Sequence, residues 1–207
     1  MTKKIAIQGE LGAYSHIAAE SLYKGAEIKT CATFEETFKQ AYNDSDYKIV
    51  IPIENSLAGR VADIHYLLPK YKLQIHGEHF QPVEHNLLCK QDATLEDIKF
   101  VRSHAQAIGQ CQNLINKKKF KPIISADTAG SAKDLAEGSD KSIAAIASEM
   151  SAKIYNLKIL EKNIEDEKGN VTRFLIMGKN IEQPEFSKNK KFITSCIFRV
   201  KSEPSAL

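Results

Sequence analysis

At 207 residues the chain has room for one or two domains and can bury a core without covalent staples. Its 43% hydrophobic and 27% charged content excludes wholesale disorder. Lys and Arg exceed Asp and Glu by 29 to 26, and a net charge of +3 is too small to imply nucleic-acid binding.

The predicted elements alternate. Lys4–Gln8 is a short apolar run that ends in a Gly-containing loop and predicts a strand. Over 14–23, Ile17, Ala18 and Leu22 recur at helical spacing. Ile28–Cys31 predicts a second strand. Thr33-Phe34-Glu35-Glu36 forms a capping box that opens a helix to about Tyr42. The apolar segment 47–53 then leads straight into Glu54-Asn55-Ser56. A short helix is expected over 61–68. Two extended segments, 73–80 and 83–89, follow with no helix between them, and the chain is expected to change lobes there. Beyond them come strands at 100–103, 122–125 and 143–146, each followed by a helix, at 106–116, 128–137 and 148–155. Residues 171–177 close the series as an apolar strand. Such alternation predicts an α/β fold with largely parallel sheets and helices on both faces. In that architecture ligands sit beyond the C-terminal strand ends, where loops enter helices.

Cys31, Cys89, Cys111 and Cys196 show no CxxC spacing and no accompanying His pair, so they are expected to be buried free thiols. The opening MTKKIAIQGELGAYS lacks the apolar core of a signal peptide. Nowhere do about 20 apolar residues follow one another, as a membrane span requires. A cytoplasmic protein with no membrane or nucleic-acid partner is expected. The polar stretch 179–191 predicts a linker, and the apolar segment 192–200 after it cannot bury its own face as a lone strand. The chain is therefore expected to stop inside a second domain.

Four loops after predicted strands are rich in small polar residues: 9–15, 54–59, 103–106 and 127–131. Each places backbone N–H groups and hydroxyls at a helix start, which either caps the helix or cradles an anion. Four on one sheet edge favour a small polyanion. None has the spacing of a phosphate loop or of GxGxxG, which disfavours a nucleotide. Arg173 lies in an otherwise apolar strand, VTRFLIM, and needs a partner. It is an edge residue, half of an ion pair, or a bidentate clamp for a carboxylate.

Gln8-Gly9-Glu10-Leu11-Gly12-Ala13-Tyr14-Ser15, Ile51-Pro52-Ile53-Glu54-Asn55-Ser56-Leu57-Ala58-Gly59, Asp127-Thr128-Ala129-Gly130-Ser131-Ala132 and Asn170-Val171-Thr172-Arg173-Phe174 occur in that order. Together they closely resemble the prephenate dehydratase family, over about residues 4–178. The resemblance implies a two-lobed, type II periplasmic-binding-protein-like α/β fold with a cleft. It divides residues 1–178 into one lobe of about 1–76 and 160–178 and another of about 77–159. Residues 192–207 resemble the first strand and loop of the family's phenylalanine-binding ACT domain, with Ser205 where a Gly is usual. Phenylalanine would then be an effector only of a complete domain. In 103–107, Ala105 replaces the usual Pro, which frees a backbone N–H.

The family reaction converts prephenate, a dicarboxylate, into phenylpyruvate, water and carbon dioxide. It needs no metal, redox group or other cofactor. The resemblance implies Thr172 as the catalytic hydroxyl beside the departing oxygen. Arg173 would pair with a carboxylate or support Thr172, and Phe174 would form an apolar wall. Ser15, Asn55, Ser56, Ser103, Gln106, Thr128 and Ala129 would bind the substrate. Glu54 would turn away from a dianion, toward a cation such as Arg60. His104 has a structural or a functional role, and the other five histidines are unassigned. A homodimer or homotetramer is expected. The alternatives are an arogenate dehydratase, acting on the amino analogue, and a non-catalytic binding module of the same fold.

Overall fold

The computed structural model describes residues 2–180, 187–189 and 191. The expected ACT-like segment 192–207, most of the expected linker and Cys196 lie outside the described residues.

The first lobe begins with β1 (Lys4–Gln8), α1 (Tyr14–Leu22), β2 (Glu27–Cys31), α2 (Phe34–Asn43) and β3 (Tyr47–Asn55). It continues with β4 (Gly59–Arg60), α3 (Ala62–Tyr71) and β5 (Gln74–Pro82). The chain then builds β6 (Asn86–Cys89), β7 (Phe100–His104), α4 (Ala105–Gly109), α5 (Gln112–Lys118) and β8 (Lys121–Ser125). After these come α6 (Thr128–Glu137), β9 (Ile143–Ala147), α7 (Glu149–Ile154) and β10 (Lys158–Glu161). It returns to the first sheet as β11 (Val171–Gly178). One sheet has the order β2-β1-β3-β11-β5, with β4 paired to β3, and the other β10-β6-β9-β7-β8.

Period-two alternation assigns the core of the first sheet. Ile49, Ile51, Leu175 and Met177 pack under α2 and α3. Val50, Phe174 and Ile176 pack on the opposite face, under α1. The second sheet is covered likewise. Leu87, Val101 and Ile146 meet α4 and α5, and Leu88, Ala145 and Ala147 meet α6 and α7. The α/β class with helices on both faces is therefore as expected, but the sheets are mixed rather than mostly parallel. Strand β11 runs antiparallel to both β3 and β5, and β6 runs antiparallel to both β9 and β10. The reason is the double crossing. A strand that returns from the other lobe enters without a right-handed crossover helix and pairs antiparallel.

The outward crossing is also displaced. Strand β5 stays in the first sheet to Pro82, so the outward crossing is at 83–85 and not near 77. Strand β10 belongs to the second sheet, so the return follows Glu161, close to the expected boundary of about 160. The four polar loops, expected on one sheet edge, are divided between two sheets. The helix expected over 106–116 is broken at Gln110 and Cys111 into α4 and α5. Thr33 accepts from the Glu36 N–H at 3.1 Å, and the Glu36 carboxylate reaches back to the Ala32 N–H at 3.0 Å. Cys31, Cys89 and Cys111 are buried free thiols. Among the described residues no helix is long and apolar enough to cross a membrane.

The 9–15 loop joins the lobes. Its Gly12 carbonyl accepts from Ser148 Oγ at 2.6 Å and from Ser151 Oγ at 3.1 Å, at the start of α7. Tyr155 Oη donates to the Leu11 carbonyl at 2.9 Å, and Lys133 pairs with Glu10 at 3.2 Å. Gly12 has φ +91°, and a Cβ there would lie 2.8 Å from Ser151 Cα. No side chain fits at that approach. Gly12→Ala is expected to cost about 2–4 kcal/mol, from left-handed strain plus the collision. Urea unfolding checks this, and an unchanged midpoint would show that the lobes do not dock through Gly12.

Candidate functional site

Strand pairing sets Thr172 opposite Asn55 at the end of β3. Asn55 Oδ1 accepts the N–H groups of Leu57 at 3.0 Å and Ala58 at 2.9 Å, an Asx-type turn. Those two donors fix the amide orientation, so Asn55 Nδ2 carries the hydrogens. It donates to Asn170 Oδ1 at 2.6 Å and to Thr172 Oγ1 at 2.9 Å. Thr172 Oγ1 is therefore an acceptor toward Asn55. Its own proton has no acceptor among the described residues.

The polarity propagates. Because Asn170 Oδ1 accepts, its Nδ2 donates, to Gln110 Oε1 at 3.0 Å. The Gln110 side chain thus presents its oxygen inward, and its NH2 group has no partner among the described residues. Asn170 is buried, so this chain is costly to interrupt. It joins the first lobe to the break between α4 and α5 in the second. Ser56 closes the base. Its N–H donates to the Val171 carbonyl at 2.9 Å, its Oγ accepts from the Val171 N–H at 3.0 Å, and Oγ also contacts the Gly169 carbonyl at 3.4 Å.

Of the residues expected at the site, Thr172, Asn55 and Ser56 come together. Asn55 and Ser56 have their side-chain hydrogen-bonding groups committed to protein partners, Asn55 to Thr172 itself and Ser56 to the backbone of Val171 and Gly169. Ser103 is fully buried, and its Oγ donates to the Ile146 carbonyl at 2.7 Å. Phe174 is core, 1% exposed beneath α1, and forms no wall. Arg173 points to the sheet face opposite Thr172 and Phe174. Its Nη2 and Nε meet Glu78 Oε2 at 2.6 and 2.8 Å, and the guanidinium lies over Phe80. That geometry is an ion pair rather than an open clamp. Ser15 is buried in the first turn of α1. Glu54 is exposed and opposite Arg60 in register, with no ion pair to it among the described residues.

Gln106, Thr128 and Ala129 open helices of the second lobe. Gln106 is exposed, and its N–H donates to the His104 ring at 3.3 Å, which gives His104 a capping role. Thr128 and Ala129 follow the N-cap Asp127, which accepts from the Gly130 N–H at 2.6 Å. Ala129 is fully buried, so only its backbone N–H could serve a ligand. Among the described residues none of the three hydrogen-bonds to Asn55, Asn170 or Thr172, and Gln106 meets the cluster only through its carbonyl, which accepts the Gln110 N–H at 2.9 Å.

Gln110, His85 and Tyr14 extend the cluster and were not singled out from the sequence. Gly109, just before the helix break, is the one local sign of it. His85 is 2% exposed, and burial depresses its pKa, against the opposing influences of Gln110 and Glu165. Burial foremost, with Glu165 next, pushes the Tyr14 phenol far up, so it stays protonated. A groove of about 310 Å³ lies beside Tyr14, between the outward crossing and α7. It contains neither Thr172 nor Gln110, and the hydrogen-bond geometry locates the site instead.

A prephenate dehydratase family model matches residues 5–182. A bifunctional N-acyl-homoserine lactone acylase/prephenate dehydratase of Komagataeibacter europaeus is 38% identical, over 98% of this chain and 72% of its own. Arogenate dehydratase/prephenate dehydratase 2 of Arabidopsis thaliana is 39% identical, over 99% of this chain and 53% of its own. The solved prephenate dehydratase of Staphylococcus aureus Mu50 is 28% identical with a TM-score of 0.74, over 90% of this chain and 69% of that one. The chain spans about half the length of the plant relatives it matches.

The fixed polarity has a direct consequence for stability. Asn55→Asp keeps an acceptor for Leu57 and Ala58 but sets a carboxylate oxygen against Asn170 Oδ1. A loss of about 1–3 kcal/mol is expected from this unmatched buried acceptor. Chemical denaturation measures it, and a fully stable variant would contradict the assigned orientation of Asn55.

Proposed function

The chain belongs to the prephenate dehydratase family, and on that premise we propose that it converts prephenate to phenylpyruvate, water and carbon dioxide, a carbon–oxygen lyase reaction. The observation that carries this reading is the unspent proton on Thr172. Asn55 occupies a lone pair of the hydroxyl and leaves its hydrogen free to point at a leaving oxygen.

In this reaction the ring hydroxyl departs and the ring carboxylate leaves as carbon dioxide. The electron pair of the broken C–C bond completes the aromatic ring. The proton needed by the departing hydroxide comes from solvent, because threonine is too weak an acid to be the net source. Thr172 instead donates a hydrogen bond to the oxygen as negative charge grows on it, an interaction stronger in the transition state than in the ground state. The substrate must also be anchored. The unpartnered NH2 of Gln110, the exposed Gln106 side chain and the first-turn N–H groups at Thr128 and Ala129 are neutral donors for its carboxylates. Arg173 acts by support. Paired with Glu78, it ties β11 to β5 directly behind Thr172.

Thr172→Ala is expected to keep the fold and lose about 10²–10³-fold in kcat, the range for removing one such donor, while Thr172→Ser retains most of the activity. Steady-state assays on prephenate, with arogenate in parallel, check this. Near wild-type turnover by Thr172→Ala would remove Thr172 from the mechanism. Turnover of arogenate alone would transfer the same chemistry to the amino substrate. Sedimentation should give a homodimer or homotetramer, and a monomer would contradict that expectation.

A further inference from the structure

His85 occupies the outward crossing between the lobes and has no part in the chemistry above. Its ring lies between the two halves of the polar chain. Nε2 is 2.9 Å from Gln110 Oε1, and Nδ1 is 3.3 Å from Tyr14 Oη. Gln110 Oε1 already accepts from Asn170 Nδ2 and has no hydrogen to give. His85 Nε2 must therefore carry a proton, and in a neutral ring Nδ1 is then bare. Tyr14 packs beside Nδ1. Its hydroxyl donates its one proton to the Glu84 carbonyl at 2.6 Å, so the 3.3 Å approach to Nδ1 is a polar contact and not a donated hydrogen bond, and its ring packs edge-on to the imidazole at 5.9 Å. The backbone is held as firmly. The His85 N–H donates to Glu165 Oε2 at 2.9 Å, and its carbonyl accepts the Ile164 N–H at 2.9 Å. Glu165 and Ile164 belong to the return crossing, so both connections between the lobes meet at this residue.

We infer that His85 is a positioning residue: as the Nε2–H tautomer it holds Gln110 with the amide oxygen inward and the NH2 group outward, available to a substrate carboxylate. Without that donor, Asn170 alone holds the Gln110 oxygen, and the amide is free to swing about a single contact. The depressed pKa of the buried ring agrees with a neutral tautomer. The inference rests on the proposed dehydratase activity for its kinetic consequence and on hydrogen-bond geometry for the proton at Nε2.

Two substitutions separate positioning from packing. His85→Gln places an amide N–H near the Nε2 position, whereas His85→Asn is too short to reach Gln110. His85→Asn is expected to raise KM for prephenate about tenfold, and His85→Gln to restore it to within about threefold, amounts typical of one hydrogen bond. In a Gln110→Ala background the His85→Asn effect should shrink below about twofold, because the residue it acts through is gone. Equal loss in both single variants, or an undiminished effect without Gln110, would overturn the inference. A second measurement needs no turnover. Nitrogen-15 shifts of the imidazole at about pH 7 should show a protonated Nε2 and a bare Nδ1. The opposite tautomer or a charged ring overturns the assignment. An inactive wild-type protein that shows the expected tautomer would count against the dehydratase reading, not against the role of His85 in orienting Gln110.

Discussion

Two backbone N–H groups, those of Leu57 and Ala58, determine the direction of the side-chain hydrogen bonds that run from Asn55 through Asn170 to Gln110. They can only donate, so Asn55 Oδ1 must accept and its Nδ2 must donate. From there no choice remains at Asn170, Gln110 or His85, since each side chain has one donor side and one acceptor side. The chain is substantially buried, where a reversed bond would leave two like poles facing at short range. A tight turn at the end of one strand thus orients a hydroxyl, an amide and an imidazole distributed over two lobes.

The same arrangement accounts for the position of the site. Asn55 and Thr172 are cross-strand partners in the first sheet, while Gln110 lies in the gap between α4 and α5 of the second. They meet because the two crossing segments pass side by side, with Val83 N–H bonded to the Asn170 carbonyl and Ile164 N–H to that of His85. A second attachment, Gly12 against Ser148 and Ser151, joins the lobes through the 9–15 loop. Two attachments resist relative rotation better than one, which suits a site whose donors come from both sides.

The division between site and scaffold also follows from which hydrogen-bonding groups are already used. Ser103, Asn55 and Ser56 have the right chemistry for an anion, but their partners are within the protein. Arg173 has the right charge, but Glu78 is nearer to it than any ligand in the cleft would be. Among the described residues, groups with unspent donors are fewer: the Thr172 hydroxyl, the Gln110 NH2 and the N–H groups of Thr128 and Ala129 at the start of α6. A dianion held by neutral donors is bound without a countercharge, which avoids stabilising the carboxylate that must be lost.

The sequence by itself determined the alternating elements, the α/β class, the buried thiols, the Thr33 cap and, through the ordered motifs around Tyr14, Asn55, Thr128 and Thr172, the family. These are local or pattern properties, set by period-two and period-3.6 hydrophobicity and by contiguous residues. Which polar residues of those motifs keep hydrogen-bonding groups without a protein partner depends on the fold. A serine reads the same in a sequence whether its proton goes to Ile146 or to a substrate. Likewise Arg173 becomes an ion-paired residue only when β5 is placed beside β11, and Gln110 and His85 join the site only when the two crossings meet. Those facts depend on partners 25 to 117 positions apart in the chain, and hydrogen-bond commitment over such separations is fixed by the fold and not by any local pattern.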